Sequence, residues 1–178
     1  MNAGAHGTDI ASIVSATLIF DLATLSIQER PADQLGFGYR RSGLSASDVV
    51  VEASFELEGA ADSHIRARME AYRRHRAETQ PGAAQNAGSV FKNPPGDSAG
   101  RLVEACGLKG YRVGGASVSE LHANFFMAAE GATSQDVYDL VHEIATRVRA
   151  GSGVELETEV RFIGRFRPAT RASAPEHA

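Results

Sequence analysis

The fold class is decided by residues 48–78, which read DVVVEASFELEGAADSHIRARMEAYRRHRAE. Residues 48–57 alternate between apolar and polar side chains, a two-residue period that is typical of a β-strand. One face of this strand carries Val51, Ala53, Phe55 and Leu57. From Asp62 the apolar residues recur with a helical period, and they are Ile65, Met69 and Tyr72. The stretch predicts a strand followed by a helix over 62–78, and the change of period places a domain boundary near residue 60.

Upstream of this stretch, residues 15–30 (SATLIFDLATLSIQER) predict two short strands around a turn. Downstream, a short helix is predicted over 98–106, and strands are predicted over 111–118 and 122–128, the first of them broken by Gly114 and Gly115. A capping-box pattern at Thr133 and Asp136 opens an amphipathic helix that we expect to end at Gly151.

The last predicted element is a strand over 154–163, in which apolar and charged positions alternate. Its polar face carries Glu155, Glu157, Glu159 and Arg161. The tail, residues 169–178, is polar and rich in alanine, and we expect it to be flexible. The elements together predict an α+β protein.

Composition narrows the class of protein. The 178 residues are 43% hydrophobic and 22% charged, with a formal net charge of −4, which argues against a disordered chain and a nucleic-acid binder. The single cysteine, Cys106, excludes an internal disulfide and suggests a reducing compartment. No apolar run reaches the roughly 20 residues of a membrane helix, and the start is not typical of a signal peptide. We therefore expect a cytoplasmic protein without nucleic-acid, membrane or protein partners.

Several polar groups are candidate site residues, and each has a simpler structural interpretation. The 88–94 loop, GSVFKNP, is either an anion site or a self-solvated loop, and it lacks the G-x-S-x-G pattern of a hydrolase serine. The arginines of the 39–42 stretch, YRRS, have two interpretations. They either bind a carboxylate or phosphate group, or they are solvated at a surface turn. The glutamates of the last strand either form the solvent-exposed face of a sheet or include one catalytic carboxylate. His122 has no second ligand at metal spacing, so a structural role competes with binding.

Five motifs occur in one order along the chain: MNAGAHG (1–7), FGYRRS (37–42), NAGSVFKNP (86–94), AGRLVEACGLKGYRVGGASVSELHANFF (99–126) and LETEVRFIG (156–164). Together they resemble the UDP-N-acetylenolpyruvoylglucosamine reductases, flavoenzymes of peptidoglycan synthesis. The resemblance extends from Met1 to about Gly164. The short stretch between the second and third motifs is similar to the shorter branch of that family.

The resemblance implies a reaction in which NADPH reduces FAD and hydride then passes to the enolpyruvyl group of UDP-N-acetylglucosamine enolpyruvate. By motif position it implies that Ser89 gives the proton, Arg40 stabilises the enolate and Glu159 is the catalytic glutamate. The implied substrate-binding residues are Tyr39, Lys92, Asn93, His122 and Arg161. The implied cofactor-binding residues are Asn2, Ala3, Gly4, Ala5 and Gly7.

The resemblance also implies a domain organisation. Residues 1–60 correspond to the C-terminal remnant of a flavin-binding domain of the PCMH/VAO type, and residues 61–168 to a small α+β substrate-binding domain. Most of the FAD site of the family precedes MNAGAHG, so we expect translation to begin upstream of Met1; a deliberate fragment and a truly truncated gene are the other two explanations. A flavin-free nucleotide-sugar-binding module and a non-functional fragment are the alternatives.

Overall fold

A computed structural model describes residues 1–82 and 85–168 of the chain. These residues form a mixed α/β structure that divides after Tyr72 into two compact units. The tail predicted to be flexible, 169–178, lies outside the described residues. Within the described ranges, no helix has the length and apolar character needed to cross a membrane.

The first unit is built on an antiparallel three-stranded sheet. Its strands are β3 (Val14–Asp21), β4 (Ser26–Pro31) and β5 (Asp48–Phe55), in the order β4-β3-β5. They confirm the predicted strand pair over 15–30 and the predicted strand at 48. Before the sheet lie a short hairpin, β1 (Gly4–Ala5) with β2 (Thr8–Asp9), and a 3₁₀ turn, Ile10–Ser12. A second 3₁₀ turn, Ala32–Leu35, follows β4.

The core of the first unit is small. Its buried cluster consists of Val14, Ile19 and Leu35. The apolar face predicted for β5 is exposed: Val51 is 58% exposed and Phe55 is 49% exposed. The sheet therefore buries mainly the inward side chains of β3, and much of the apolar surface of β5 lies open.

Helix α1 (Asp62–Thr79) begins at the residue predicted from the change of period. It has no buried residue, and its apolar stripe is about half exposed, with Ile65 at 44% and Met69 at 49%. The helix continues past the division between the two units, after Tyr72.

The second unit packs two helices against a four-stranded antiparallel sheet. The strands are β6 (Asn86–Ser89), β7 (Arg112–Val113), β8 (Ala116–Val118) and β9 (Phe125–Ala128), in the order β6-β9-β8-β7. The break predicted at Gly114 and Gly115 is confirmed, and the chain reverses direction there between β7 and β8. Helix α2 (Ala99–Ala105) is capped by Ser98, and helix α3 (Ser134–Ser152) is capped by Thr133.

The capping box predicted for α3 is present, because Thr133 and Asp136 exchange hydrogen bonds between side chain and backbone. The predicted stripe of α3 faces the core and supplies its buried side chains, Leu140, Val141, Ile144 and Val148. The predicted end at Gly151 is wrong. The helix continues to Ser152, and Gly153 takes the left-handed cap conformation with a φ of 73°, which costs glycine little.

The continuous strand predicted over 154–163 is also wrong. This segment makes one isolated bridge, Phe91 with Thr158. The carbonyl of Val90 accepts from the amides of both Glu159 (2.8 Å) and Val160 (3.4 Å). Two residues opposite one interrupt the ladder as a bulge does. Thr158 is exposed, although the alternation had placed it on the apolar face.

Candidate active site

A polar cavity of about 370 Å³ opens in the second unit. It brings together three of the predicted site residues, which are Ser89, Asn93 and His122. Its other lining residues are Ser98, Gly100, Arg101, Glu104, Leu121, Ala123 and Asn124. A serine hydroxyl, an amide and an imidazole that face one volume can bind a polar ligand through several hydrogen bonds.

Asn124 holds the strand that carries Ser89. Its side chain is buried, accepts a hydrogen bond from the amide of Phe91 (2.9 Å) and donates one to the carbonyl of Phe91 (2.8 Å). The carbonyl of Asn124 accepts from the amide of Val90 (2.9 Å). Three hydrogen bonds from one residue therefore fix the backbone directly after Ser89.

Asn93 and its neighbours shape the rim of the cavity at the start of α2. The Oδ1 atom of Asn93 accepts from the amide of Ala99 (3.0 Å). Asp97 accepts from Nε of Arg101 (2.6 Å), and this bond with the Arg101 side chain is the main reason why the pKa of Asp97 falls to about 2. Lys92, a predicted substrate residue, is ion-paired with the exposed Glu157. The loop that follows Ser89 is thus held by the ion pair of Lys92 and by the hydrogen bond of Asn93 to the start of α2.

His122 is half-buried and has a defined orientation. Its Nδ1 accepts from the amide of Asn124 (3.2 Å), and its ring meets Phe125 edge-on with centroids 4.7 Å apart. Burial is the main cause that lowers the pKa of His122 below 6.5, while the charges of Lys109 and Glu104 act in opposite directions. Burial therefore favours the uncharged imidazole, and in that form Nε2 carries the proton, because Nδ1 serves as an acceptor.

Gly100 gives the His122 ring its space. A Cβ atom at Gly100 would lie 3.3 Å from Cε1 of His122, which is a tight contact. A larger residue at this position of α2 would press directly on the ring.

The predicted strand had put Glu159 and Arg161 on one face. The amide of Glu159 is bonded to the carbonyl of Val90, one residue from Ser89. Arg161 instead lines a different and mainly apolar cavity of about 590 Å³, formed with side chains such as Phe126 and Val141. Neither Glu159 nor Arg161 is among the residues that line the cavity of Ser89.

Arg40 and the N-terminal loop, residues 1–7, lie together in the first unit. Arg40 has a φ of 54°, in the left-handed region that residues other than glycine seldom adopt. Its guanidinium lies over the ring of Tyr39, 5.3 Å from the centroid. A Cβ atom at Gly4 would lie 3.0 Å from the carbonyl of Thr8 and 3.6 Å from Nη1 of Arg40. The small residues of the N-terminal loop therefore approach the Arg40 side chain closely.

Asn2 holds this N-terminal loop from within. Its side chain is buried, donates to Asp9 (2.7 Å) and accepts from the amide of Ala11 (2.9 Å). The predicted cofactor residues that remain exposed are Ala3, Gly4, Ala5 and Gly7.

Comparison with known proteins identifies the family. Residues 80–163 match the family described as UDP-N-acetylenolpyruvoylglucosamine reductase, C-terminal domain. A UDP-N-acetylenolpyruvoylglucosamine reductase of Bacillus licheniformis is 41% identical over 170 residues, which are 94% of this chain and 91% of that protein. The chain belongs to the UDP-N-acetylenolpyruvoylglucosamine reductase family.

Other relatives in this reductase family are longer. A reductase of Bacillus pumilus is 43% identical over 167 residues, which are 92% of this chain and 54% of that protein. The crystal structure of the reductase from Thermus caldophilus superposes with a TM-score of 0.76 at 37% identity, covering 89% of this chain and 57% of that one. The chain thus spans about half the length of several curated reductases that it matches.

Sequence reasoning missed Asn124 and Gly100. The signal for Asn124 is its place in the run from Ala123 to Phe126, where the other residues are apolar and buried. A polar residue in such a run usually has buried hydrogen-bond partners. No signal in the sequence identifies Gly100, because the constraint comes from a ring 22 residues further along the chain.

Proposed function

We propose that this chain carries the substrate half of a cytoplasmic, FAD- and NADPH-dependent reductase that converts UDP-N-acetylglucosamine enolpyruvate to UDP-N-acetylmuramate for peptidoglycan. The observation that supports this most directly is the polar cavity shared by Ser89, Asn93 and His122. The reductase names of its relatives agree with the proposal.

The proposed flavin-binding and substrate-binding roles belong to two different parts of the chain. Residues 1–60 are the C-terminal remnant of a flavin-binding domain, and residues 61–168 are the substrate-binding domain. The flavin-domain remnant contributes Arg40 and the loop of residues 3–7. The substrate domain contributes Ser89 and Glu159. The observed division after Tyr72 falls within helix α1, beyond the proposed boundary at residue 60.

The N-terminal loop fits backbone contact with a flavin. Its exposed residues are small, and its hairpin leaves no room for a side chain at Gly4, since a Cβ atom there would be 3.0 Å from the carbonyl of Thr8. Ala3, Gly4, Ala5 and Gly7 would hold the edge of the cofactor through backbone atoms. When it is bound and reduced by NADPH, FAD supplies the hydride, and the protein supplies position and charge.

Arg40 is the proposed electrostatic stabiliser. Negative charge grows on the substrate carboxylate and its enolate during reduction. A guanidinium meets that charge with two parallel N–H groups, and it is most effective when it is already in place. The left-handed backbone at Arg40 and its stacking on Tyr39 limit the positions that the side chain adopts.

Ser89 is the proposed proton donor, and Glu159 is the proposed catalytic carboxylate beside it. A serine hydroxyl has a high pKa, yet it donates to a strongly basic carbon that is held close to it. The hydrogen bonds of Asn124 to Val90 and Phe91 fix the strand at Ser89. The bond from Glu159 to Val90 keeps the glutamate backbone next to the same strand.

The experiment that tests this function uses Ser89→Ala in the 178-residue chain loaded with FAD. We expect NADPH to reduce the flavin at an unchanged rate, while formation of UDP-N-acetylmuramate falls by about 10²–10⁴-fold, the range of a lost acid catalyst. Ser117→Ala, a half-buried serine on β8, is the matched control. Full product formation by Ser89→Ala would remove Ser89 from the mechanism.

The alternative is a flavin-free module that binds a nucleotide sugar. It is favoured by one observation, namely that the polar cavity is formed entirely by residues of the second unit. Calorimetric binding of UDP-N-acetylglucosamine enolpyruvate by a chain that retains no flavin would support the alternative over the reductase.

A further inference from the structure

The segment that follows Glu159 continues across helix α3. We call residues 162–167 the C-terminal clasp. Its last four residues, 164–167, lie beyond the 80–163 range that matches the reductase family.

Gln135, in the first turn of α3, closes the clasp. Its Oε1 accepts from the amide of Arg167 (3.0 Å), and its Nε2 donates to the carbonyl of Arg167 (3.2 Å). Nε2 also donates to Asp139 one turn along the helix (2.8 Å). One side-chain amide thus pairs with both backbone groups of Arg167, as a neighbouring strand would.

Aromatic rings fill the clasp between Gln135 and Glu159. Phe166 stacks on Tyr138, with centroids 4.8 Å apart and planes inclined by 11°. Phe162 meets Tyr138 edge-on at 5.0 Å and Phe166 edge-on at 5.4 Å. His142 adds a tilted contact with Tyr138 at 4.1 Å. Such pairs have preferred geometries and resist sliding.

The other end of the segment is attached to the strand of Ser89. The amide of Glu159 is bonded to the carbonyl of Val90 (2.8 Å), and the amide of Lys92 to the carbonyl of Glu157 (2.8 Å). Glu159 therefore lies between an anchor on the Ser89 strand and an anchor on α3, and only two residues separate it from Phe162.

We propose that the C-terminal clasp is a positioning device that sets the place of Glu159 beside the Ser89 strand, with Gln135, Tyr138 and Phe166 as its positioning residues. The catalytic consequence rests on the proposed function of Glu159. Without the anchor at Gln135, the segment is held by its two backbone bonds to the Ser89 strand and by the packing of Val160 and Phe162 against the core. A segment with fewer anchors opens locally more often. Small displacements of a reacting group reduce turnover strongly.

The test compares amide hydrogen exchange at Glu159 in a set of matched variants. Phe166→Ala and a chain ending at Ile163 should speed exchange at Glu159 by about tenfold or more, since local opening becomes easier. Phe166→Tyr should restore the slow rate. Two controls should leave it unchanged: Ile163→Ala, because that side chain is 93% exposed, and a chain ending at Pro168.

A second readout separates positioning from general loss of structure. Exchange at Leu140 and Val148, in the buried face of α3, should stay within about twofold in every variant, because each variant retains Phe162, the clasp residue that packs against the core. In the FAD-loaded chain, Phe166→Ala should lower kcat by about tenfold, with KM within about twofold and recovery in Phe166→Tyr, as expected for an effect on the reacting geometry.

The outcomes are distinct. Unchanged exchange at Glu159 in Phe166→Ala and in the chain ending at Ile163 would overturn the proposal, whatever the turnover. Faster exchange with unchanged kcat would show that the clasp does not serve the reaction. If the unsubstituted chain shows no turnover, the proposed function fails, while the exchange rates still decide whether the clasp positions Glu159.

Discussion

Replacement of Asn124 by alanine should destabilise the second unit strongly. The Asn124 side chain is 4% exposed, and both of its side-chain hydrogen bonds go to the backbone of Phe91, which is 1% exposed. The substitution leaves one buried N–H and one buried carbonyl without their partners. Each costs about 1–3 kcal/mol, so we expect a loss of about 2–6 kcal/mol in the free energy of unfolding.

The assay is native-state amide exchange at the buried residues of α3, Leu140 and Ile144, which open only when the unit unfolds. A loss of about 2 kcal/mol corresponds to roughly thirtyfold faster exchange, because about 1.4 kcal/mol is tenfold. Gln85→Ala, an exposed amide with no side-chain hydrogen bond in the described structure, is the control. An increase of less than about threefold in Asn124→Ala would refute this account of the Ser89 strand.

Three further predictions concern charge and packing. Asp97 should titrate at a pKa of about 2 because Arg101 hydrogen-bonds to it, so its contribution to stability is complete above pH 3.8 and is lost as the pH falls through about 2; a carboxyl ¹³C titration near 3.8 would contradict this. His122 should titrate below 6.5 because burial disfavours its charged form, so acidification below 6.5 protonates the unfolded chain first and lowers stability; an imidazole NMR titration at or above 6.5 would be inconsistent with the structure. Gly115→Ala would place Cβ 2.7 Å from Ala132 and should cost about 1–3 kcal/mol, which a urea midpoint equal to that of the unsubstituted chain would disprove.

The elements with long, regular patterns were predictable from the sequence. Helix α3 combines a capping box with an apolar stripe over several turns, and both are confirmed. Its end was missed by two residues, since Gly151 and Gly153 are equally good stops in the sequence. The backbone conformation of Gly153 decides between them, and composition does not contain that information.

The prediction of a strand over 154–163 was wrong because the alternation of apolar and polar residues describes only the side chains. A β-ladder depends instead on hydrogen bonds between two backbones. Glu155, Glu157, Glu159 and Arg161 alternate regularly with apolar residues. The carbonyl of Val90 nevertheless takes two consecutive amides, and the pairing ends there. This bulge accompanies the placement of Arg161 in a different cavity from Ser89, which no local pattern predicts.

The candidate site was predictable only as a set of motifs. Ser89, Asn93 and His122 were singled out from the sequence, and the structure places them around one cavity. Spacing alone left a purely structural role open for each of these three residues. The supporting residues Asn124 and Gly100 act through contacts with Phe91 and His122 that are distant in sequence, so they required the fold.

The most direct test of the central claim is NADPH oxidation by the purified 178-residue chain after incubation with FAD, measured with and without UDP-N-acetylglucosamine enolpyruvate. The reductase account predicts a bound flavin and NADPH oxidation that requires the enolpyruvyl substrate and yields UDP-N-acetylmuramate. A colourless, monodisperse chain that binds the nucleotide sugar but oxidises no NADPH would contradict that account for this chain.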